Sequence, residues 1–234
     1  MIRFRPLPGL TVAALFGVAA LAGLGVWQLQ RLEWKRALIA AAETRAHAPP
    51  VDMAGLIGKP AGEIEYTHAT ARGTYLPGEA LLFSKIEDGR VGVQVISPFR
   101  LASGDAILVD RGFVEAEGSK RGAYAPPPAG AVEIVGLVRA GHRAGPFTPK
   151  PDEARRVWYV RDAEGVAQGL GLVPAPRVFL ALDAGAPGER PVGGKTKLTF
   201  RNEHLEYALT WFSLAAVLVG VYLAYHRSKG RLRF

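Results

Sequence analysis

Two apolar stretches frame the chain: Leu10 to Leu29 runs 20 residues without a charge, and Tyr207 to Tyr225 runs 19. As helices they reach roughly 30 Å and 28 Å, about the hydrocarbon thickness of a bilayer. The pattern therefore predicts two transmembrane helices and rules out a freely soluble globular protein. The first helix continues from Gln30 to about Arg45, with Leu32, Ala37, Leu38 and Ala41 apolar, and ends at Pro49-Pro50. From Tyr66 the period shortens to two. His68 to Tyr75 alternates around Thr70, Arg72 and Thr74, and Leu81 to Ile86 and Arg90 to Phe99 flank Asp88-Gly89. That dipeptide tolerates positive φ and marks a hairpin turn. Ala106 to Val114 and Val132 to Arg139 follow, separated by the extended run Pro126-Pro127-Pro128. Arg156 to Val160 and Arg177 to Leu182 are the last strands, and between them Asp162 caps a short helix to Gly169.

Six or seven short strands with turn chemistry between them predict an antiparallel sheet or small barrel. The Gly/Pro-rich stretch Pro187 to Lys195 leads back to the second span. The expected architecture is a membrane α-helical hairpin of two transmembrane helices carrying an external antiparallel β-rich α+β domain. The segments are a tail at 1–9, a span at 10–29, the external domain at 30–206, a span at 207–225 and a basic tail at 226–234.

Net charge is +8, and its placement matters more than its size. Arg3, Arg5, Arg227, Lys229, Arg231 and Arg233 lie in tails that contain no acid, whereas the middle region is nearly neutral. A basic excess confined to membrane flanks follows the positive-inside rule and excludes the basic folded face that nucleic acid requires. Both termini are thereby placed in the cytoplasm. Arg31, Lys35 and Arg36 follow the first span on the opposite side, but the acid-free flank of the second span decides the orientation. The first apolar run exceeds the h-region of a signal peptide and a basic cluster follows it, so a retained anchor is expected; nor does the short tail before it resemble a mitochondrial transit peptide. The expected location is a bacterial inner membrane, multi-pass, with the large domain periplasmic. Zero cysteines exclude disulfides and thiolate chemistry.

Enzyme signatures fail in turn. Gly194-Lys195-Thr196 ends like a phosphate loop, but Glu189 stands where that motif needs glycine. There is no Gly-x-Ser-x-Gly elbow and no HExxH, and His47, His68, His142, His204 and His226 are far apart in sequence. With no Cys and only Met1 and Met53, Cu(I) lacks soft ligands. No catalytic residue is expected.

The unusual residues cluster at the outer ends of both spans. On the first helix Trp27, Arg31, Trp34 and Leu38 fall within about 60° of one another, with Lys35 on the shoulder. On the second, His204, Ala208, Trp211, Ala215 and Leu218 share a face, and the two alanines permit close approach of the first helix or of a flat ligand. Taken singly, Trp27, Trp34, Arg31 and Lys35 fit interface anchoring and snorkelling, and His204 fits a histidine bonded to a neighbour. Taken together they suit haem. A neutral imidazole supplies an axial ligand, the cations pair with propionates, and aromatic rings with alanines form flat walls.

Three blocks then resemble the surfeit locus protein one family of cytochrome c oxidase assembly factors. They are Gly25 to Lys35, Val91 to Phe99 with Ile107 to Val114, and Asn202 to Trp211, in the family's order and within the same two-span layout. The resemblance implies a chaperone role in maturing oxidase subunit I, with haem a as transient cargo and the haem a synthase as a further partner. It places His204 as the iron ligand; Arg31, Lys35, Trp27 and Trp211 are the other candidate binding residues. Phe113 stands where the family often has Trp, and Glu203 and Glu206 stand where it more usually has neutral residues. Carboxylates there favour the protonated imidazole, which cannot ligate iron. Two other classes of function remain open on the sequence: an assembly scaffold that never touches haem, and a membrane-tethered enzyme with an unrecognised site. Arg111, beside Asp110 in a half-buried strand, is expected to form an internal ion pair.

Overall fold

The computed structural model describes residues 3–85, 90–115, 124–174, 176–196, 198 and 200–233. Its contacts separate into two units, one of residues 1–41 with 199–234 and one of residues 42–198. The helical unit thus takes in more than the two expected spans at 10–29 and 207–225.

The helical unit holds most of α1 (Pro8–His47) and all of α4 (His204–Ser228). Forty residues carry α1 about 60 Å, well beyond its apolar stretch. The apolar window of each helix is long enough to cross a bilayer and is almost wholly unburied. Exposed apolar surface on that scale needs an apolar surrounding, so the two helices point to association with a membrane. They run antiparallel within the unit: Thr11 meets Tyr222, Gly17 faces Leu218, Gly25 faces Phe212, and Gln28 meets His204. The least exposed residues of α4, His204, Ala208, Trp211, Ala215, Leu218, Tyr222 and His226, recur every three or four positions as one helical face.

The second unit is built on a mixed sheet of eight strands. These are β2 (Val51–Asp52), β3 (His68–Tyr75), β4 (Ala80–Lys85), β5 (Val91–Leu101), β6 (Ala106–Glu115), β7 (Ala131–Ala140), β8 (Val157–Trp158) and β9 (Val178–Leu182), in the spatial order β2-β3-β7-β9-β6-β5-β4-β8. A further pairing of β3 with β5 closes β3, β7, β9, β6 and β5 into a ring, a small barrel. Closure requires glycine at position 73, because a Cβ there would stand 1.9 Å from the Arg100 carbonyl oxygen. A 3-10 turn (Met53–Leu56), α2 (Ala61–Ile64) and α3 (Ala163–Gly169) complete the unit. As expected, Asp162 caps α3, accepting the Gly165 N–H at 3.1 Å.

The antiparallel expectation is corrected in three places: β2 with β3, β6 with β9, and β4 with β8 are parallel. The strand β9 inserts between β6 and β7, which are successive in sequence, and runs antiparallel to β7 and parallel to β6. Turn chemistry reports only strands joined by short loops, so a strand that returns from 60 residues away leaves no local mark of its partner. The expected turn at Asp88-Gly89 lies outside the described residues.

Alternation explains the core. Ala69 and Ala71 of β3 point inward with Ile107 and Val109 of β6 and Leu180 of β9, while Leu108 and Phe179 point to the opposite face, beneath Val166 and Ala167 of α3. Both faces of β6 and β9 are covered, which is why β9 is an unbroken apolar run and why Asp110 and Arg111, the charges within β6, are buried.

Candidate functional site

The unusual residues at the Asn202 end of the helical unit divide between two faces of α1. Gly25, Gln28, Leu32 and Lys35 are buried or half-buried and recur at helical spacing. Gly25 leaves room for the Phe212 ring, whose Cε1 would lie 2.6 Å from an added Cβ. Trp27 and Trp34, 53% and 50% exposed, sit roughly 100° round the helix from Gln28, and the Arg31 guanidinium lies over the Trp34 ring, 4.1 Å from its centre. The expected stripe of Trp27, Arg31, Trp34 and Leu38 therefore exists as an outward face beside the one that meets α4. Lys35 belongs to the inner face.

His204, at the first turn of α4, meets Gln28 with Nδ1 2.7 Å from Oε1. An amide oxygen accepts only, so Nδ1 carries the proton, and a neutral ring then has its lone pair on Nε2. Helix α4 places Trp211 two turns on, half-buried on the same face, with Ala208 buried between them. Glu203 is paired with Arg201, through both Nε and Nη2, and that hydrogen bond holds its carboxyl below the usual range. One of the two carboxylates expected to favour imidazolium, Glu203, is thus already engaged by a cation.

Among the described residues no three His, Cys, Asp or Glu side chains gather into a metal-holding group. A bare ion at His204 would find no such group there. Haem would ask the protein for a single donor, and a neutral imidazole bonded to Gln28 through Nδ1 would have Nε2 left for that role. Gln28 is the residue that sequence reasoning overlooked. It stood inside the block Gly25 to Lys35, and the spacing Gly25, Gln28, Leu32, Lys35 was the available signal.

Within the sheet unit, Arg111 makes the expected internal ion pair: Nη1 donates to Glu79 Oε1 at 3.0 Å and Nη2 to the Ala125 carbonyl at 2.6 Å, while the Tyr124 hydroxyl donates to Glu79 Oε2. Its neighbour Asp110 takes a different partner, Arg161, at 3.6 Å, and accepts the Gly112 N–H. Burial pushes the Asp110 carboxyl above the usual carboxylate range, against the pull of Arg161 and Gly112, and burial lowers Arg161.

A sequence profile of the SURF1 family matches residues 15–216. The chain belongs to the SURF1 family. Relatives include a SURF1-like protein of Monosiga brevicollis, 35% identical over 89% of this chain and 84% of its own length. The Surfeit locus protein 1 of Mus musculus is 34% identical over 83% and 68%, and that of Homo sapiens 33% over 83% and 70%. The match to the SURF1 profile takes in the Gln28–His204 pair, the ring of strands and the Arg111–Glu79 pair.

Proposed function

We propose that this chain is an assembly factor for haem-copper cytochrome oxidase that binds haem a at the external face of a bacterial inner membrane and assists its insertion into subunit I. Membership of the SURF1 family, known in general for cytochrome oxidase assembly, supports the first part. The observation that carries the second is the Gln28–His204 hydrogen bond. Gln28 holds the proton on Nδ1 and so keeps Nε2 available as a donor to iron. Trp211, half-buried on the same helical face, gives an apolar wall beside it. Lys35 and Arg31 supply cations for the propionates; stacking on Trp34 occupies the plane of the Arg31 guanidinium and leaves its in-plane N–H groups for an acid.

Both termini lie in the cytoplasm and the sheet unit in the periplasm, where oxidase subunit I and the haem a synthase are its partners. A single protein ligand suits a carrier, because His204 must yield the iron to a histidine of subunit I; no covalent bond of the cargo is made or broken. The test is the visible spectrum of the full chain purified from membranes of a host that makes haem a, wild type beside His204→Ala. A Soret band with the long-wavelength signature of haem a, lost or shifted in the variant, is expected. Absence of pigment in a folded wild-type chain from membranes that contain haem a would overturn the carrier reading and leave a scaffold.

A further inference from the structure

The end of the helical unit that carries both termini is built differently. Strands β1 (Arg3–Phe4) and β10 (Leu232–Arg233) pair antiparallel, and the Arg5 N–H donates to the Arg231 carbonyl at 2.9 Å. Behind this ribbon His226 is fully buried. Its Nδ1–H donates to the Tyr222 carbonyl at 2.9 Å, and its Nε2 accepts the Leu7 N–H at 3.2 Å. The rings of Phe4, Tyr222 and Tyr225 surround the imidazole at centroid distances of 5.4, 4.2 and 6.0 Å. Thr11 gives its hydroxyl proton to the Leu7 carbonyl, so the Tyr222 hydroxyl donates to Thr11 at 2.6 Å. The ring thus holds the first tail through Leu7, and the His226 carbonyl holds the second by accepting the Arg231 N–H at 2.8 Å.

Beside that histidine, α1 and α4 leave an apolar groove of about 550 Å³, lined by Leu7, Leu10, Ala14, Leu218, Val221 and Tyr225 among others. Lys229 stands at its mouth, with Nζ 5.9 Å from the centre of the Tyr225 ring, and Arg5 lies two residues from Leu7; both cations are exposed. The acids of the helical unit are Glu33, Glu203 and Glu206, all toward the other end. Along α4, Glu206 is about 34 Å from Lys229, several Debye lengths at physiological salt.

We propose that this end is a binding site for an anionic glycerophospholipid, with an acyl chain in the groove and the phosphate against Lys229 and Arg5. The two halves of the site select the ligand between them. An apolar groove of this size rewards a hydrocarbon chain, and an acid-free pair of cations rewards a negative headgroup. A soluble phosphate leaves the groove unused, and a zwitterionic lipid brings its own cation to Lys229 and Arg5.

The test titrates the full chain in neutral detergent with phosphatidylglycerol and with phosphatidylcholine of the same acyl chains, counting bound lipid by native mass spectrometry. Selective retention of phosphatidylglycerol is expected. Arg5→Gln and Lys229→Gln each weaken it about fivefold, and together by about 25-fold. Ala13→Trp, which narrows the groove from an exposed position that lines it, weakens it while leaving the cations in place. Circular dichroism verifies that each variant keeps its helices. Equal retention of the two lipids, or phosphatidylglycerol binding unmoved by all three substitutions, overturns the proposal. Displacement by millimolar inorganic phosphate overturns it in favour of a soluble-anion site.

Discussion

Replacing Gln28 by Leu keeps a side chain of similar bulk on the inner face of α1 and removes the one atom that holds the proton of His204 on Nδ1. Two consequences follow. In the protein without cargo, the imidazole loses its tautomer bias, and Nε2 carries the proton for a larger share of the time. On loading, that share must be converted before Nε2 can donate. Outer partners of metal-binding histidines are worth roughly 10- to 100-fold in affinity, or about 1.4–2.7 kcal/mol. The assay has two parts. Ring ¹⁵N shifts of histidine-labelled protein, with His204 assigned by loss of its signals in His204→Ala, report the tautomer with no haem present. Titration with haem a reports affinity. Gln28→Leu should show mixed tautomers and a 10- to 100-fold weaker affinity, with thermal unfolding close to wild type because the packing volume is kept. Gln28→Glu should keep a proton on Nδ1, since a carboxylate accepts it, while favouring the doubly protonated ring that cannot ligate iron. If Gln28→Leu leaves both the ring shifts and the affinity unchanged, the reasoning that joins Gln28 to His204 is wrong.

Three further outcomes are expected. Gly112 has φ +124°, and an added Cβ would stand 2.4 Å from the Val192 carbonyl carbon and oxygen, so Gly112→Ala should destabilise the sheet unit by more than the roughly 1–2 kcal/mol of a left-handed backbone alone, read by urea unfolding. For Asp110, burial raises the folded pKa above the unfolded value of about 3.9, so in that window the folded chain binds more protons and stability falls as pH rises; Asp110→Asn, which keeps the neutral form at every pH, should remove this slope, measured by unfolding across pH 3–8. Gly25→Leu forces a side chain into the Phe212 ring and should part α1 from α4 near Gln28, which a loss of the Nδ1–H tautomer at His204 would register.

Much of the sheet unit was legible because its signals are local. Thr70, Arg72 and Thr74 alternate with Ala69 and Ala71, and the fully buried alanines are the inward half of that pattern. Asp162 announced α3 through a capping bond made three residues away. The same locality hid the parallel pairing of β6 with β9, since its register joins Leu108 to Phe179 across 71 residues. The ion pairs divide in the same way. Arg111 and Asp110 adjoin in sequence, but successive side chains of a strand point to opposite faces, so each finds its own partner, Glu79 and Arg161.

At the candidate site the sequence determined the residue types, their helical faces and their common depth at the ends of two apolar helices, because a 3.6-residue period and a run of uncharged residues need nothing beyond the local chain. It also determined that the tails are basic and free of acid. Which faces meet was decided only by the packing of α1 against α4. Gly25 and Ala208 turn Gln28 toward His204 and leave Trp27 and Trp34 outside. The joining of Arg3–Phe4 to Leu232–Arg233, some 230 residues apart, was likewise tertiary. Short tails carry no periodicity to read, and they acquire a structure when buried His226 gives their backbone something to bond.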